Sequence, residues 1–555
     1  MILKHGVNAL RIGAGRTVRR PRGMAMITVL FIIVIMFILV GALLQAMPEE
    51  LRAVSYTGYD NRALYVADAG IQAMTLSIEE QSDLGLAPLQ SISYSYPVET
   101  GFTQSAHYDV HLLDSGTLYG GIQYYAIQSD GYSAEGEHRH VNAVLEQGCF
   151  CGYNYLGKNN APGNFFVAGL MQFNGPVYLE GATSGSPVNI QWYNNVAPLF
   201  LDNVTVSGFY RWWDANFTPD MPPQTDQQWN SVDAHGQSAV SFKPANAVPF
   251  PAEARSALVA NEAFQGNPGN GSFPAPAQGN GVYINQQPAT ACSGGVASGI
   301  YVQGDVNLAM SSTDTTQTFA FTPSGLGSIP APVTITVDFA RNSTHVQSGG
   351  VGADCAGVPN GAGTAGANVA NGAIFVNGNI NSLAGTVNGQ YTLAVPDTAT
   401  LANNITITGH IKYQHDPLPP CSCGGNDMLG LTANDVIVST DASVPNDLVI
   451  EAAVFAGNKT EATSAAADGT FMTDQGTGNG VCGAGVPNKG SVTVYGSLVN
   501  NYVAPLGCYD PGTGQLTHGY ADHYTFDTRF KYSQPPFYPN TNKYNIVAWK
   551  DYGSN

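Results

Sequence analysis

Five copies of one short pattern, apolar-x-apolar-x-Gly-x-apolar, recur along the chain and limit its fold more than any other feature. They are Val204-x-Val206-x-Gly208-x-Tyr210, Ile300-x-Val302-x-Gly304-x-Val306, Ile374-x-Val376-x-Gly378-x-Ile380, Ile405-x-Ile407-x-Gly409-x-Ile411 and Val492-x-Val494-x-Gly496-x-Leu498, with a partial copy at Val177-x-Leu179-x-Gly181. Alternate residues of an extended chain project to one side, so each copy reads as a strand with one buried face. A glycine inside such a strand marks a bulge or a corner. Repeating a strand that turns a corner predicts stacked short strands, as in a parallel β-helix or a similar solenoid. The glycines lie 96, 74, 31 and 87 residues apart. Further coils or loop insertions must therefore separate the copies, and a β-sandwich with long loops is the rival. The Pro/Gly/Asn/Ala-rich stretches 244–280, 349–371 and 462–489 read as surface loops.

A chain of 555 residues exceeds one ordinary core, so two or more domains are expected. With 64 glycines and only 11% charged residues, it suits strands and turns rather than a disordered polymer. The net charge of −19 is uneven. Residues 1–23 hold Lys4, Arg11, Arg16, Arg19, Arg20 and Arg22 and no acid. Removing these six from the 21 cations leaves 15 against 40 acids. So acidic a body argues against nucleic-acid binding, which depends on phosphate neutralisation.

From Met24 to Leu44 runs an uncharged stretch of 21 residues, long enough to cross a bilayer as a helix. The basic cluster before it predicts a cytoplasmic amino end, an inner-membrane anchor and export of the rest, to the cell surface or a pilus. The junction Arg20-Pro21-Arg22-Gly23-Met24 looks like a prepilin peptidase site, with cleavage between Gly23 and Met24. Asp60 to Ile71 is similar to a stretch of large minor pilins and pseudopilins, and the ending Phe526–Phe530, Pro535–Pro539 and Val547–Lys550 is similar to theirs. The chain thus resembles a large minor pilin or pseudopilin of the type IV pilus or type II secretion type. That resemblance implies prepilin peptidase and other pilin or pseudopilin subunits as partners. One position departs from it: Thr28 stands where major pilins carry a Glu, as in minor pseudopilins at a filament tip.

Beyond the apolar run, Leu64, Ala67, Ile71, Met74 and Ile78 form one stripe of a helix reaching about residue 82. Residues 92–146 alternate as strands around Gly120-Gly121 and Gly131. The fold class expected is therefore α+β. A long N-terminal transmembrane helix with a small antiparallel sheet, pilin-like, precedes a large all-β domain read as a right-handed parallel β-helix. The divisions are a leader at 1–23, helix and sheet at 24–147, the β body at 148–510 and a tail at 511–555 packing on the body.

Eight cysteines, Cys149, Cys151, Cys292, Cys355, Cys421, Cys423, Cys482 and Cys508, all follow the apolar run, and their even number suits disulfides. Cys482–Cys508 and Cys292–Cys355 are preferred by proximity in sequence, although connectivity cannot be deduced. Cys149-Phe150-Cys151 and Cys421-Ser422-Cys423 could join or bind a soft metal, but zinc ligands are usually spaced more widely. Asp468 and Asp474 lie in glycine-rich turns without EF-hand spacing. Tyr210, Trp212, Trp213 and Trp229 could stack on a surface glycan or a protein partner, or fill the end of the body.

An enzyme needs a catalytic constellation, and the sequence displays no P-loop, nucleophile elbow or HExxH. Asp305, beside Gly304, has no counterpart in the other copies. No catalytic residue, metal or cofactor is assigned. The expectation is a non-enzymatic minor pilin-like subunit that presents a β-rich domain for assembly or adhesion. The alternatives are a permanently membrane-anchored structural protein and a β-helix polysaccharide-degrading enzyme with carboxylates distant in sequence.

Overall fold

The computed structural model describes Met36 and residues 58–553 with intervening gaps, chief among them 215–241, 265–278, 290–298, 357–371, 418–424 and 458–468. A helix, α1 (58–82), lies on a five-stranded antiparallel sheet. The sheet runs in the order Ser91–Ser95, His107–Thr117, Gln123–Tyr132, His138–Cys149 and Asn540–Asp551. Its last strand comes from the far end of the sequence. Ala67, Ile71, Met74 and Ile78 of α1 are buried against Val110, Ile127, Val141, Ala143 and Leu145, one alternating face of the sheet. Polar links pin the margins: Arg139 Nε donates to Asp60 (2.6 Å) and its Nη1 to Asp551 (3.0 Å), while Lys543 donates to Glu79 (2.8 Å). Ile71 is fully buried, so Ile71→Ala should destabilise this unit by about 2–4 kcal/mol. Faster amide exchange confined to 58–82 and its sheet would register the loss.

Most of the remaining strands form a body of parallel pairs. Successive strands turn away from one another and pair with strands one turn further on, so identical faces stack. The repeated pattern supplies the clearest cases. Ile300 and Val302 pair with Ile374 and Val376 in register, and Val306 meets Ile380. Val204, Val206 and Gly208 pair with Val177, Leu179 and Gly181. One inward ladder runs Ile300, Ile374, Leu393, Leu431, Val454, Leu498, Tyr155, Val177, Val204. Every member is almost completely buried in one apolar cluster. A second ladder, Ile411, Ile450, Val494, Tyr524, Phe173 and Phe200, ends in aromatic rings. Phe173 stacks on Phe200 (centroids 5.0 Å apart) and on Tyr524 (5.3 Å). Glycine is needed where backbones meet at a corner: a Cβ on Gly378 would stand 2.5 Å from the carbonyl carbon of Gly304.

The order of strands in space is not their order in sequence. Tyr155–Asn159 pairs with Asn488–Asn500, and the strands at 177–181, 204–208 and 242–244 continue from it. The chain then reaches the opposite end of the stack through α2 (Ser256–Phe264), whose Val259, Ala260 and Ala263 pack on Tyr301, Ala373 and Phe375. From there it winds back toward residue 500. Antiparallel strands extend that far end from Val306–Thr313 to Val351–Ala356.

These observations correct the expected fold class. The described structure is mostly β, not an α+β pilin fold built on a long N-terminal helix. Among the described residues no helix is long and apolar enough to cross a membrane. The physical reasons are local: α1 carries Asp60, Arg62, Asp68, Glu79 and Glu80, and α2 has 9 residues. The expected single-helix anchor in the inner membrane and its transmembrane reading are therefore not supported. Gly23, Met24 and Thr28 lie outside the described residues, as does the rest of the apolar run 24–44 on which that expectation rests, apart from Met36. The expected tail divides between the two parts. Leu516–Phe526 joins the parallel body, and Asn540–Asp551 joins the sheet beneath α1.

Two disulfides are described. Cys482 is bonded to Cys508, closing a loop across 26 residues, and Cys149 is bonded to Cys151. Replacing Cys482 and Cys508 by Ser should lower stability by roughly 3 kcal/mol, the scale set by the loop length; chemical denaturation of variant and parent would measure it. Cys292, Cys421 and Cys423 lie outside the described residues, as does the side chain of Cys355.

Candidate functional site

The sheet and the body are joined by two chain crossings that run side by side. His138–Cys149 leaves the sheet through the turn Phe150–Gly152, and the returning chain enters it at Asn540, which pairs with Cys149. Phe150 donates its backbone N–H to the Pro539 carbonyl (3.1 Å). Around this junction opens a cleft of about 570 Å³, within the range of small-ligand sites. The sheet contributes Glu146, Gln147, Gly148 and Cys149 from one strand and Asn545, Ile546 and Val547 from its neighbour. The body contributes Gln390 and the segment Phe530–Gln534 with Pro536.

That segment is firmly held. Asp527, fully buried, caps the turn Thr528–Lys531 by accepting the N–H of Arg529 (3.0 Å). The Arg529 guanidinium donates to both Asp527 oxygens and to the Gly425 carbonyl (2.7 Å), and lies over the ring of Tyr413 (5.1 Å). Phe530 then turns into a cluster with Phe150, Phe250 and Phe455. Phe537, at a φ of 58°, donates its N–H to the Gly120 carbonyl (2.9 Å). Between these anchors Tyr532 stands out at 90% exposure.

The cleft's chemistry is amide-rich and nearly uncharged. Glu146 and Lys531 are its ionisable lining side chains with opposite charge. Among the described residues, the side chains of Glu146, Gln390, Gln534 and Asn545 make no hydrogen bond or ion pair. The Nε2 of Gln534 is also shielded from solvent without an acceptor. Four uncommitted polar groups thus converge on one opening. Sequence reading missed this site because its walls are some 400 residues apart and its uncommitted polar residues, Glu146, Gln390, Gln534 and Asn545, belong to no motif. The nearest signal was the tail 526–539, read only as an ending.

The residues singled out from sequence fall elsewhere. Trp212 is buried in the apolar core, and Trp213 Nε1 donates to Asn189 (2.8 Å). Both belong to the strand Tyr210–Trp213, paired in parallel with Val188–Gln191. Tyr210 remains about half exposed, and Trp229 lies outside the described residues. Asp305 accepts the N–H of Asn379 (2.7 Å), a structural corner bond. Burial alone would raise the carboxyl of Asp474, but hydrogen bonds from Thr440, Gln475 and Ser439 outweigh it and hold it below the usual range. Asp474 therefore fastens a turn. Glu451 is buried, which pushes its carboxyl up, and accepts the N–H of Tyr413 (2.5 Å). Among the described residues no group of three or more His, Cys, Asp or Glu is arranged to hold a metal.

No family model matches the sequence, and neither a curated protein nor a solved structure does. The resemblance to large minor pilins and pseudopilins is accordingly corrected. No family match supports it, and the described fold is mostly β with no helix able to span a membrane.

Proposed function

We propose that the chain is a non-enzymatic binding protein that presents its β-rich body for assembly or adhesion, and that the junction cleft is where it engages a partner. The observation carrying this reading is the convergence of four uncommitted polar side chains, with the protruding Tyr532, on an opening framed by firmly anchored walls. Walls held in place before a ligand arrives reduce the ordering cost of binding. The carboxylates of the body support the same reading, because Asp305, Asp474 and Asp527 are each engaged in fastening backbone.

The test is an array of immobilised oligosaccharides and peptides probed with the full chain and with Tyr532→Ala. Tyr532 is exposed, so the variant keeps the fold. Binding to any class that weakens in Tyr532→Ala supports the reading. Binding unchanged by the substitution, or release of shortened oligosaccharides from the array, argues against it.

A further inference from the structure

We infer that the ligand of the junction cleft is an uncharged saccharide; this rests on the cleft being the binding site. Charge is the first argument. The chain carries −19 overall, yet one carboxylate and one ammonium offset each other at this opening. A strongly anionic or cationic ligand would gain little there, because no second charge of one sign reinforces the first.

Hydrogen-bonding capacity is the second. Each sugar hydroxyl both donates and accepts. A primary amide offers two donors and an acceptor in one plane, and a carboxylate offers acceptors alone. Gln390, Gln534 and Asn545 provide the amides and Glu146 the carboxylate, and none has an intramolecular partner among the described residues. Binding would therefore break no existing protein bond. The carboxamide of Gln534, whose Nε2 is shielded from solvent and has no acceptor among the described residues, gains most from a ligand oxygen.

Shape is the third. Tyr532 projects a ring at the rim, and Val547 exposes an apolar surface at 55%. Apolar C–H faces of pyranose rings pack on such surfaces while their edges reach the amides. The edge strand Asn540–Asp551 pairs only with His138–Cys149, so a peptide adding to that edge is the competing ligand, and the peptide arm of the experiment reads it.

The experiment uses the full chain on an array carrying neutral oligosaccharides, sulfated and sialylated glycans, and peptides, followed by calorimetry with the strongest binder. The result expected is binding to neutral oligosaccharides that changes less than twofold between about 0.05 and 0.5 M salt, where exposed charge pairs are screened. Tyr532→Ala should weaken it roughly three- to tenfold, the range for one aromatic contact, and Gln534→Ala at least as much. Binding confined to charged glycans or to peptides, still lost in Tyr532→Ala, would overturn the saccharide assignment while leaving the cleft as the site. Neutral-saccharide binding that neither substitution alters would remove the cleft from consideration. Absence of binding to every class would overturn both.

Discussion

Asp522→Asn is expected to remove a fall in stability that the parent protein shows as pH rises from about 4 to 7. Asp522 projects inward beside Val492 and Leu448, where every other described member of the ladder is apolar. It is 6% exposed; one oxygen has no partner, and the other accepts only a long hydrogen bond from Tyr524 (3.4 Å). Burial pushes its carboxyl from 3.8 up to about 7, and the Tyr524 bond offsets only part of that. The sign follows from where the proton sits. Below about 4 both folded and unfolded chains hold it, so the group contributes no difference. Between about 4 and 7 the folded chain keeps a proton that the unfolded chain has released, and stability falls as pH rises. Above 7 both are ionised and the full penalty persists. Its ceiling is about 4 kcal/mol, because each tenfold difference in proton affinity is worth about 1.4 kcal/mol. Asparagine keeps the shape and cannot ionise. Denaturation midpoints of parent and variant at pH 4, 5.5, 7 and 8.5 should diverge steadily and then run parallel. Curves parallel throughout would show that Asp522 is not buried as described.

A second large effect is expected at Gly496, the glycine of the last copy of the repeated pattern. It sits opposite Ala452 at a φ of 152°, and a Cβ built there would lie 2.0 Å from the Ala452 carbonyl oxygen. That oxygen belongs to backbone, so relief requires two paired strands to separate. Gly496→Ala should cost about 3 kcal/mol or more, above the range of ordinary surface substitutions. The loss should appear as faster amide exchange in Leu448–Ala456 and Asn488–Asn500 together. By contrast, Gly136→Ala, in the turn between Gln123–Tyr132 and His138–Cys149, meets no atom within 4 Å; only its positive φ opposes it. An equal effect at both positions would argue that strain rather than stacking governs Gly496.

Local pattern carried the parts of the fold that local chemistry determines. Alternation at Val204–Gly208 and Ile300–Val306 reveals strands and their buried faces because a pleated chain has a period of two. Their pairing across 27 and 74 residues is invisible to that period. Stacking Leu498 on Tyr155 is less legible still, since no sequence rule links positions some 340 residues apart. The apolar run at 24–44 misdirected the fold class for a related reason. It is the strongest hydropathy signal in the chain, yet it says nothing about how the strands after it are arranged. Glycine at 378 was readable as a corner, but its partner Gly304 becomes evident only when backbones touch. The cleft was hidden because polar side chains that matter through their lack of partners look, in sequence, like any other Gln, Asn or Glu.

The meeting of Leu498 with Tyr155 also fixes a sequence of events during synthesis. The rungs at 155–208 emerge early, but their neighbour at 488–500 leaves the ribosome hundreds of residues later. Until then the early rungs hold an apolar edge open at one end. The rungs from 300 onward can add one upon another as they appear, each contacting a turn just made. Closure is therefore a late event across a very long loop, which favours slow completion. A chain stopped before residue 488 would leave both halves exposed, and a helper that shields 155–208 in the interval would speed folding more than one acting on any later rung.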